Sequence, residues 1–319
     1  MLYSPRNIGH SPAMTDPLAE LITLFRPAKV MGKSISGAGQ WGVHYAPFGH
    51  PGFCVVTDGA CHLQVDGAYP LRLEAGDFVF LPATPGFVLS GFEPVEPQDI
   101  DPATVMGQGH EMRHGTLEGE PDVRMLGGYF VFDSPDTALL VTLLPPVIHV
   151  RGEDRFGVLV RLVREEAMQS RAGRDLILTR LVEVLLIEAL RAAPGDAAPA
   201  GLLRGLADER LALSIREIHR DPSRAWTVEQ LAKVAALSRS AYFQRFTRAV
   251  GMPPMEYLLA WRMAIAKDIL DRQDLMIEKV AERVGYSSAS TFSTAFTRYV
   301  GRPPSGYARE RRQVRSRAP

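Results

Sequence analysis

The sequence contains few cysteines: Cys54 and Cys61 are two among 319 residues. Two cysteines exclude a framework of several disulfides and a zinc site built from four cysteines. No apolar run approaches the ~20 residues that a membrane-spanning helix requires. The N-terminus also lacks a cationic patch followed by an apolar stretch, the pattern of a secretory signal peptide. These absences predict a protein of the reducing cytoplasm with no membrane segment.

Motifs typical of several enzyme classes are absent as well. The chain has no Gly-x-Ser-x-Gly, no phosphate-binding loop and no Cys-x-x-Cys. What is present is the composition of a folded globular protein, with 46% hydrophobic and 23% charged residues. The length is about twice that of one typical domain, so we expect two domains.

The formal charge of zero conceals a separation of charge along the chain. Residues 209–319 hold 20 Lys and Arg against 11 Asp and Glu, a net charge of +9. Residues 1–208 hold 16 against 25, a net charge of −9. Removing everything from Arg309 onward still leaves the C-terminal part at +5. A basic part of this kind favours a polyanionic partner.

Strand signals fill the segment from Trp41 to about Leu89. Short runs of Val, Phe, Leu and Cys alternate there with Gly and Pro, and no helical pattern intervenes. The dipeptides Asp58-Gly59 and Asp66-Gly67 are typical of hairpin turns because Gly accepts a positive φ. Residues 93–121 are polar and predict a long loop, and residues 127–132 predict a further strand. The pattern predicts an all-β sandwich or barrel.

The pattern becomes helical after Arg151. Apolar residues recur at helical spacing and predict two helices joined around Gly173, which either cover the barrel or pair with a second copy. The small residues and two prolines of 193–200 predict a linker. At the other end, residues 1–13 predict a disordered leader, so Met1 and Met14 both stay open as the translation start.

One helical pattern occurs twice in the C-terminal part. Thr227 and Gln230 form a predicted capping box that opens the first copy. In each copy a short helix breaks, and a second helix then carries aromatic residues that we expect to point inward. These aromatics are Tyr242, Phe243 and Phe246 in the first copy and Phe292, Phe296 and Tyr299 in the second. Corresponding residues lie 50 apart, as with Phe246 and Phe296, Gly251 and Gly301, and Tyr257 and Tyr307.

Helix, tight turn and helix is the arrangement of DNA-binding helix-turn-helix proteins. One copy is a weak signal because any helical hairpin imitates it. Two copies with matching caps, aromatics and Gly-x-Pro-Pro endings are a strong signal. They predict helix-turn-helix units at about 226–250 and 277–300, joined by one helix from about Met255 to Leu270.

The C-terminal residues resemble the paired helix-turn-helix module of the AraC/XylS transcription regulators. The resemblance rests on Arg262-Met263-Ala264 through Leu270, Val280-Ala281, Val284-Gly285-Tyr286, Phe292, Phe296, Gly301 and Pro304. The N-terminal part resembles the cupin sensor domain of one branch of that family, around Gly59, Val65, Leu73, Gly76-Asp77, Leu81-Pro82 and Leu144-Pro145-Pro146.

The resemblance implies an α+β multidomain protein: an N-terminal cupin-like β-barrel with two packed helices, then an all-α double helix-turn-helix. The expected organisation is a leader at 1–13, a sensor and dimerisation domain at 14–192, a linker at 193–208, a DNA-binding domain at 209–308 and a basic tail at 309–319. The family further implies that two recognition helices enter successive major-groove segments on one face of duplex DNA.

If the aromatics of each second helix pack inward, Arg239, Ser240, Gln244 and Arg248 face outward on the first unit. The resemblance implies that Ser240, Gln244 and Arg239 read bases there. The matching positions of the second unit are Ala289, Ser290, Ser293 and Thr294, with Arg298 placed to hold phosphate. Gln244 suits a bidentate contact to adenine, and Arg239 suits guanine or phosphate. Many relatives carry arginine at the position of Thr294, so we expect this unit to contact a thymine methyl or to hold phosphates through Arg298 and Arg302.

A catalytic metal is not expected in the barrel. Metal-binding cupins present His-x-His with further ligands, and this chain has no His-x-His. The related branch often has histidine at the positions of Cys54 and Phe87 and cysteine at that of Gly127, so potential ligands are missing here. We expect no metal and no cofactor. An apolar interior remains, in which Trp41, Phe53, Cys54, Phe80 and Phe87 serve as core or line an effector pocket.

The sequence predicts a cytoplasmic, sequence-specific transcription regulator that binds double-stranded DNA and is controlled by a small-molecule effector in the barrel. A homodimer through helices at 152–192 and a contact with RNA polymerase are further expectations. The alternative is a cupin-fold metal-dependent enzyme whose helical C-terminus is an interaction module. A third reading is a regulator whose barrel serves assembly alone. The effector, the operator and the choice between activation and repression stay open.

Overall fold

The computed structural model describes residues 16–25, 27–67, 69–101, 111–132, 143–151, 154–169, 171–192 and 200–317. The predicted leader and residues 193–199 of the predicted linker lie outside these ranges. The chain divides into two compact units. The N-terminal unit comprises residues 25–204 with 249–251, and the C-terminal unit comprises residues up to 24 with 205–248 and 252–319.

Ten strands build the described part of the N-terminal unit. They are β1 (Pro27–Ala38), β2 (Gly42–Tyr45), β3 (Gly52–Val65), β4 (Leu71–Glu74), β5 (Phe78–Leu81), β6 (Phe87–Ser90), β7 (Gln98–Ile100), β8 (Glu111–Gly115), β9 (Val123–Phe132) and β10 (Ile148–Val150). The main pairing order is β7-β2-β6-β3-β9-β1-β8, with β4 and β5 also on β3 and β10 on β5. The sequence predicts a β-barrel, and the structure confirms this β-rich fold in the form of a half-barrel.

The long strand β3 connects the two parts of the sheet. Its first half pairs with β5 and β9, and its second half pairs with β4 and β6. The register with β9 shifts between Val56 and Asp58, and Gly59 has φ of +71°. A Cβ at Gly59 would lie 1.8 Å from the carbonyl oxygen of Asp122, so no side chain fits there. The prediction of a hairpin turn at Asp58-Gly59 is therefore wrong, because both residues lie inside one continuous strand, directly after a bulge at Thr57.

Two strands lie where the sequence predicts an unbroken loop at 93–121. β7 pairs in parallel with β2, and β8 pairs in parallel with β1. Their residues are mostly exposed or half-buried, so they lack the apolar alternation by which strands are identified. The sequence also did not predict β1, because Gly32, Gly37 and Lys33 interrupt its apolar pattern.

Two helices pack together in the N-terminal unit, as predicted. They are α2 (Asp154–Ala167) and α3 (Arg174–Ala192), with Gly173 between them at φ of +81°. Helix α3 buries one side against β1, β5 and β10. The two helices and the turn between them also expose large apolar side chains: Val158, Leu162, Met168, Leu176, Ile177 and Val184. No helix in the described ranges is long and apolar enough to cross a lipid bilayer.

The rest of the chain is helical. The helices are α4 (Leu202–Ala207), α5 (Glu209–Arg220), α6 (Val228–Val234), α7 (Arg239–Val250), α8 (Pro254–Arg272), α9 (Ile277–Arg283), α10 (Ala289–Val300) and α11 (Pro304–Arg317). Helix α4 lies in the second half of the predicted linker. The predicted basic tail from residue 309 continues helix α11, and its Arg311 and Arg312 form ion pairs with Asp271 and Asp274.

An N-terminal helix, α1 (Pro17–Phe25), contributes Glu20 to the C-terminal unit, although the sequence grouped this segment with the barrel. Glu20 Oε2 lies 2.8 Å from Nδ1 of His219, and the hydroxyl of Tyr257 lies 2.6 Å from Nε2. His219 also stacks on Trp261, with ring centroids 4.0 Å apart. Burial lowers the pKa of His219, against the opposing effect of Glu20. A neutral imidazole satisfies both contacts, donating from Nδ1 and accepting at Nε2.

Both predicted helix-turn-helix units are confirmed. Thr227 and Gln230 form the reciprocal capping box that opens α6. The first turn places Ala236 at φ of +51°, and the second turn places Gly285 at φ of +79°. Equivalent residues lie 49 apart before the turns and 50 apart after them, because the second turn is one residue longer.

Gly285 offers a test of the second turn. A Cβ at Gly285 would lie 2.3 Å from the backbone oxygen of Ser223, whereas one at Gly301, which has φ of +83°, would meet no atom within 4 Å. We expect Gly301→Ala to lower the free energy of unfolding by about 1–2 kcal/mol, the cost of the left-handed conformation. Gly285→Ala should lose a further ~1–3 kcal/mol because backbone must move. Urea unfolding checks this, and equal losses in the two variants would contradict the close contact.

Candidate nucleic-acid interface

Helix α7 presents one polar face and one buried aromatic face. Tyr242 and Phe246 are fully buried, and the Tyr242 hydroxyl donates to Oγ of Ser214 at 3.2 Å. Phe246 packs edge-on against Tyr257, with ring centroids 5.7 Å apart. On the opposite side the four predicted DNA-facing residues are all exposed: Arg239, Ser240, Gln244 and Arg248.

Phe243 does not point inward as predicted, since 42% of it is exposed. Tyr242 and Phe246 are four residues apart and share one side of the helix, whereas Phe243 is turned by about 100° from Tyr242. That turn places Phe243 next to Gln244 and one helical turn from Ser240. An apolar ring therefore belongs to the exposed face that the sequence assigned to polar residues alone.

Helix α10 repeats this arrangement with smaller side chains. Phe292 and Phe296 are fully buried, while Tyr299 is 40% exposed, so the prediction that it packs inward is wrong. Among the predicted DNA-facing residues, Ser290, Thr294 and Arg298 are exposed, and Ala289 and Ser293 are half-buried. The Thr294 hydroxyl donates to the carbonyl of Ser290 at 3.0 Å, so it is engaged within its own helix.

Arg302, expected to hold phosphate, forms an ion pair with Glu310. The pair joins the loop after α10 to helix α11. Arg298 lies in the last turn of α10 and is exposed, so it keeps a position suited to a phosphate.

Asp208 connects α7, the second helix of the first helix-turn-helix unit, to α5. Its Oδ1 caps α5 by accepting from the backbone N–H groups of Arg210 and Leu211 at 3.1 and 3.3 Å. Its Oδ2 accepts from Nε of Arg245, on α7, at 2.5 Å. Burial by itself raises the pKa of Asp208, but the hydrogen bonds and charge of Arg245 and the backbone donors lower it below the ordinary value. The carboxylate therefore stays ionised and holds α7 in place.

A small cavity lies inside the barrel. Its volume is about 60 Å³, and of the five predicted pocket residues Phe53, Cys54 and Phe87 line it. The other two do not: Trp41 is buried in the core and stacks with His114, and Phe80 packs on Phe130. Burial raises the pKa of the Cys54 thiol, which keeps it neutral, and its Sγ lies 3.6 Å from Sδ of Met125.

The sequence missed Lys33 as a lining residue of this cavity. Lys33 comes from β1 and is 6% exposed, and it is the one basic side chain among the described residues of the lining. The remaining walls are mainly aliphatic and aromatic. The described residues contain no group of three or more His, Cys, Asp or Glu placed to hold a metal ion.

Comparison with known proteins agrees with both units. Residues 16–193 match the Cupin family, and residues 231–310 match the Helix-turn-helix domain family. Over 287 residues the chain is 33% identical to a Streptomyces lividans protein named as an AraC-like transcription regulator, and the match covers 88% of this chain and 93% of that one. The chain belongs to the AraC-like family of transcription regulators.

A second AraC-like regulator, from Streptomyces antibioticus, gives a similar match. It is 33% identical over 289 residues, and the match covers 88% of this chain and 94% of that one. The solved DNA-binding domain of AdpA in complex with a target DNA is 28% identical, covering 36% of this chain and 98% of that chain with a TM-score of 0.32. The AraC-like assignment covers both units, while the contacts of individual side chains with bases remain predictions.

Asp208 provides a test of how the first recognition helix of this AraC-like protein is held. Asp208→Ala should lower the free energy of unfolding by about 1 kcal/mol through loss of the cap. Asp208→Asn keeps the cap and removes the charge, so at pH values well above 3.8, the ordinary pKa, it should be less stable than wild type by a smaller amount. Because the pKa of Asp208 is lowered in the folded state, wild type loses the stability of the ion pair as the pH falls through this lowered pKa. Urea unfolding at neutral pH and at a pH below the lowered pKa checks this. A difference between wild type and Asp208→Asn that does not change with pH would contradict the ion pair.

Proposed function

We propose that this AraC-like protein regulates transcription by reading a specific DNA sequence through α7 and α10, under control of a small molecule in the barrel. The observation that carries the proposal is the pair of recognition helices, each held by two buried aromatics and each presenting an exposed face at equivalent positions. Chromosomal DNA is met in the cytoplasm, where we expect the protein to act.

The first recognition helix has the richer chemistry for base contacts. The Gln244 amide offers one donor and one acceptor for the N6 and N7 edge of adenine, and Phe243 offers an apolar surface for a thymine methyl. Arg239 and Arg248 stand at the two ends of α7, where phosphates or guanine are in reach. On α10 the engaged hydroxyl of Thr294 leaves its methyl group as the part suited to thymine, with Arg298 for phosphate.

Gln244→Ala tests base reading. A good bidentate contact is worth about 1–3 kcal/mol of discrimination, so affinity for a duplex selected by the wild-type chain should fall about tenfold. Binding to a scrambled duplex should not change. Fluorescence anisotropy at two salt concentrations measures both. If wild type shows no preference that survives added salt, the binding is phosphate attraction and the proposed function fails.

The barrel cavity favours a small effector with an apolar body. A cavity of about 60 Å³ accommodates about five groups the size of a water molecule, since one such group requires roughly 10–15 Å³ of cavity volume. The aliphatic and aromatic walls match an apolar body.

Thermal unfolding with added ligands tests this effector class. Small apolar compounds, such as short-chain alcohols, should raise the melting temperature of the wild-type chain. Long members of the same series should not, because the cavity has a volume of only about 60 Å³. Equal shifts for short and long compounds would contradict binding in the cavity, and no shift for any compound would favour a barrel that serves assembly alone.

A second copy of the chain is the proposed occupant of the apolar face on α2 and α3. Met168 and Leu176 are 69% and 62% exposed, close to the junction of the two helices. Exposed apolar patches of this kind mark association surfaces.

A contact with RNA polymerase is expected if the protein activates transcription. The alternative, a metal-dependent cupin enzyme, predicts stoichiometric metal in the purified protein, which metal analysis tests.

A further inference from the structure

Three segments of the C-terminal unit meet at Arg262. This residue lies on α8, the helix that joins the two helix-turn-helix units. On one side is the loop 221–226, which leads directly into α6 and the first unit. On the other side is the turn at Gly285-Tyr286, between α9 and α10 of the second unit.

The guanidinium of Arg262 contacts both neighbours. Nε donates to the carbonyl of Pro222 at 2.7 Å, and Nη2 donates to the carbonyl of Arg224 at 2.8 Å. Its Cζ also lies 5.9 Å from the ring centroid of Tyr286. A planar guanidinium can donate in a fixed fork and face an aromatic ring at the same time, which an ammonium group cannot do.

Both contacts continue into a recognition helix. The loop ends at Thr227, which caps α6, and Arg224 covers Trp226 at 4.1 Å from its ring centroid. Tyr286 packs edge-on against the buried Phe292 of α10, with ring centroids 5.6 Å apart. A Cβ at Gly285 would lie 2.3 Å from the backbone oxygen of Ser223, so the turn approaches the loop too closely to admit a side chain.

We propose that Arg262 is a positioning residue that fixes the orientation of the first helix-turn-helix unit relative to the second. Arg262 thereby sets the spacing of the two DNA segments that the protein reads. This rests on the proposed function, since it requires both units to contact one duplex. One inserted base pair turns the second segment by about 35° and moves it by about 3.4 Å, so a rigid pair of units rejects it.

A stabilising role within one unit makes a different prediction. If Arg262 merely stabilises the loop, its loss weakens binding to every duplex by the same factor. If it sets the orientation, its loss weakens binding to the correctly spaced duplex and reduces the penalty for altered spacing. Spacing discrimination is therefore the decisive measurement.

The test uses the full chain and a duplex that the wild-type chain selects from a random library. A second duplex carries one base pair inserted between the two protected segments. Arg262→Lys should lower affinity for the first duplex by about tenfold, as expected for loss of charged hydrogen bonds. Arg262→Lys should bind the second duplex nearly as well as wild type does. The affinity ratio, which is the affinity for the first duplex divided by that for the second, should therefore fall. Arg272→Lys is the matched control, because this exposed arginine lies on the same helix and undergoes the same substitution.

Tyr286→Leu provides a second variant that leaves the Arg262 hydrogen bonds to the loop in place. It should also reduce the affinity ratio, and circular dichroism confirms that each variant keeps its helices. An unchanged ratio in both folded variants would overturn the proposal while leaving the proposed function intact. Failure of the wild-type chain to select any duplex would instead contradict the proposed function.

Discussion

The packing of two aromatic side chains, four residues apart, determines what each recognition helix presents. Tyr242 with Phe246 and Phe292 with Phe296 fill the interior of their units, and each helix is thereby fixed in rotation about its axis. Every exposed position on α7 and α10 follows from that rotation. The set of side chains that each helix exposes is thus decided by residues of the interior.

The sequence is informative where the determining interaction is local. The capping box of Thr227 and Gln230 involves residues three apart and is found as predicted. The duplicated pattern locates both turns for the same reason. The rotation of Phe243 was not predictable in this way, because whether an aromatic residue faces in or out depends on partners such as Ser214 and Tyr257, distant in sequence.

Contacts between distant segments account for most of the differences. The hydrogen bond between Glu20 and His219 joins residues 199 positions apart, and no pattern around Glu20 indicates it. Lys33 lies on β1, where glycines interrupt the apolar alternation expected of a strand. The sequence therefore does not indicate that Lys33 lines the cavity, and only the pairing of β1 with β9 places it there. The polar strands β7 and β8 were missed because edge strands lack the apolar alternation of the core.

The extra residue in the second turn limits how the duplicated units can be recombined. Helices α7 and α10 align at a constant interval of 50 residues, but the helices that precede them align at 49. Exchanging the segments that start at Ser238 and Ser288 preserves the reach of each turn. An exchange that also includes α6 and α9 would move the turns as well, and the two turns differ in length by one residue. The two complete units are therefore not interchangeable, although α7 and α10 align residue for residue.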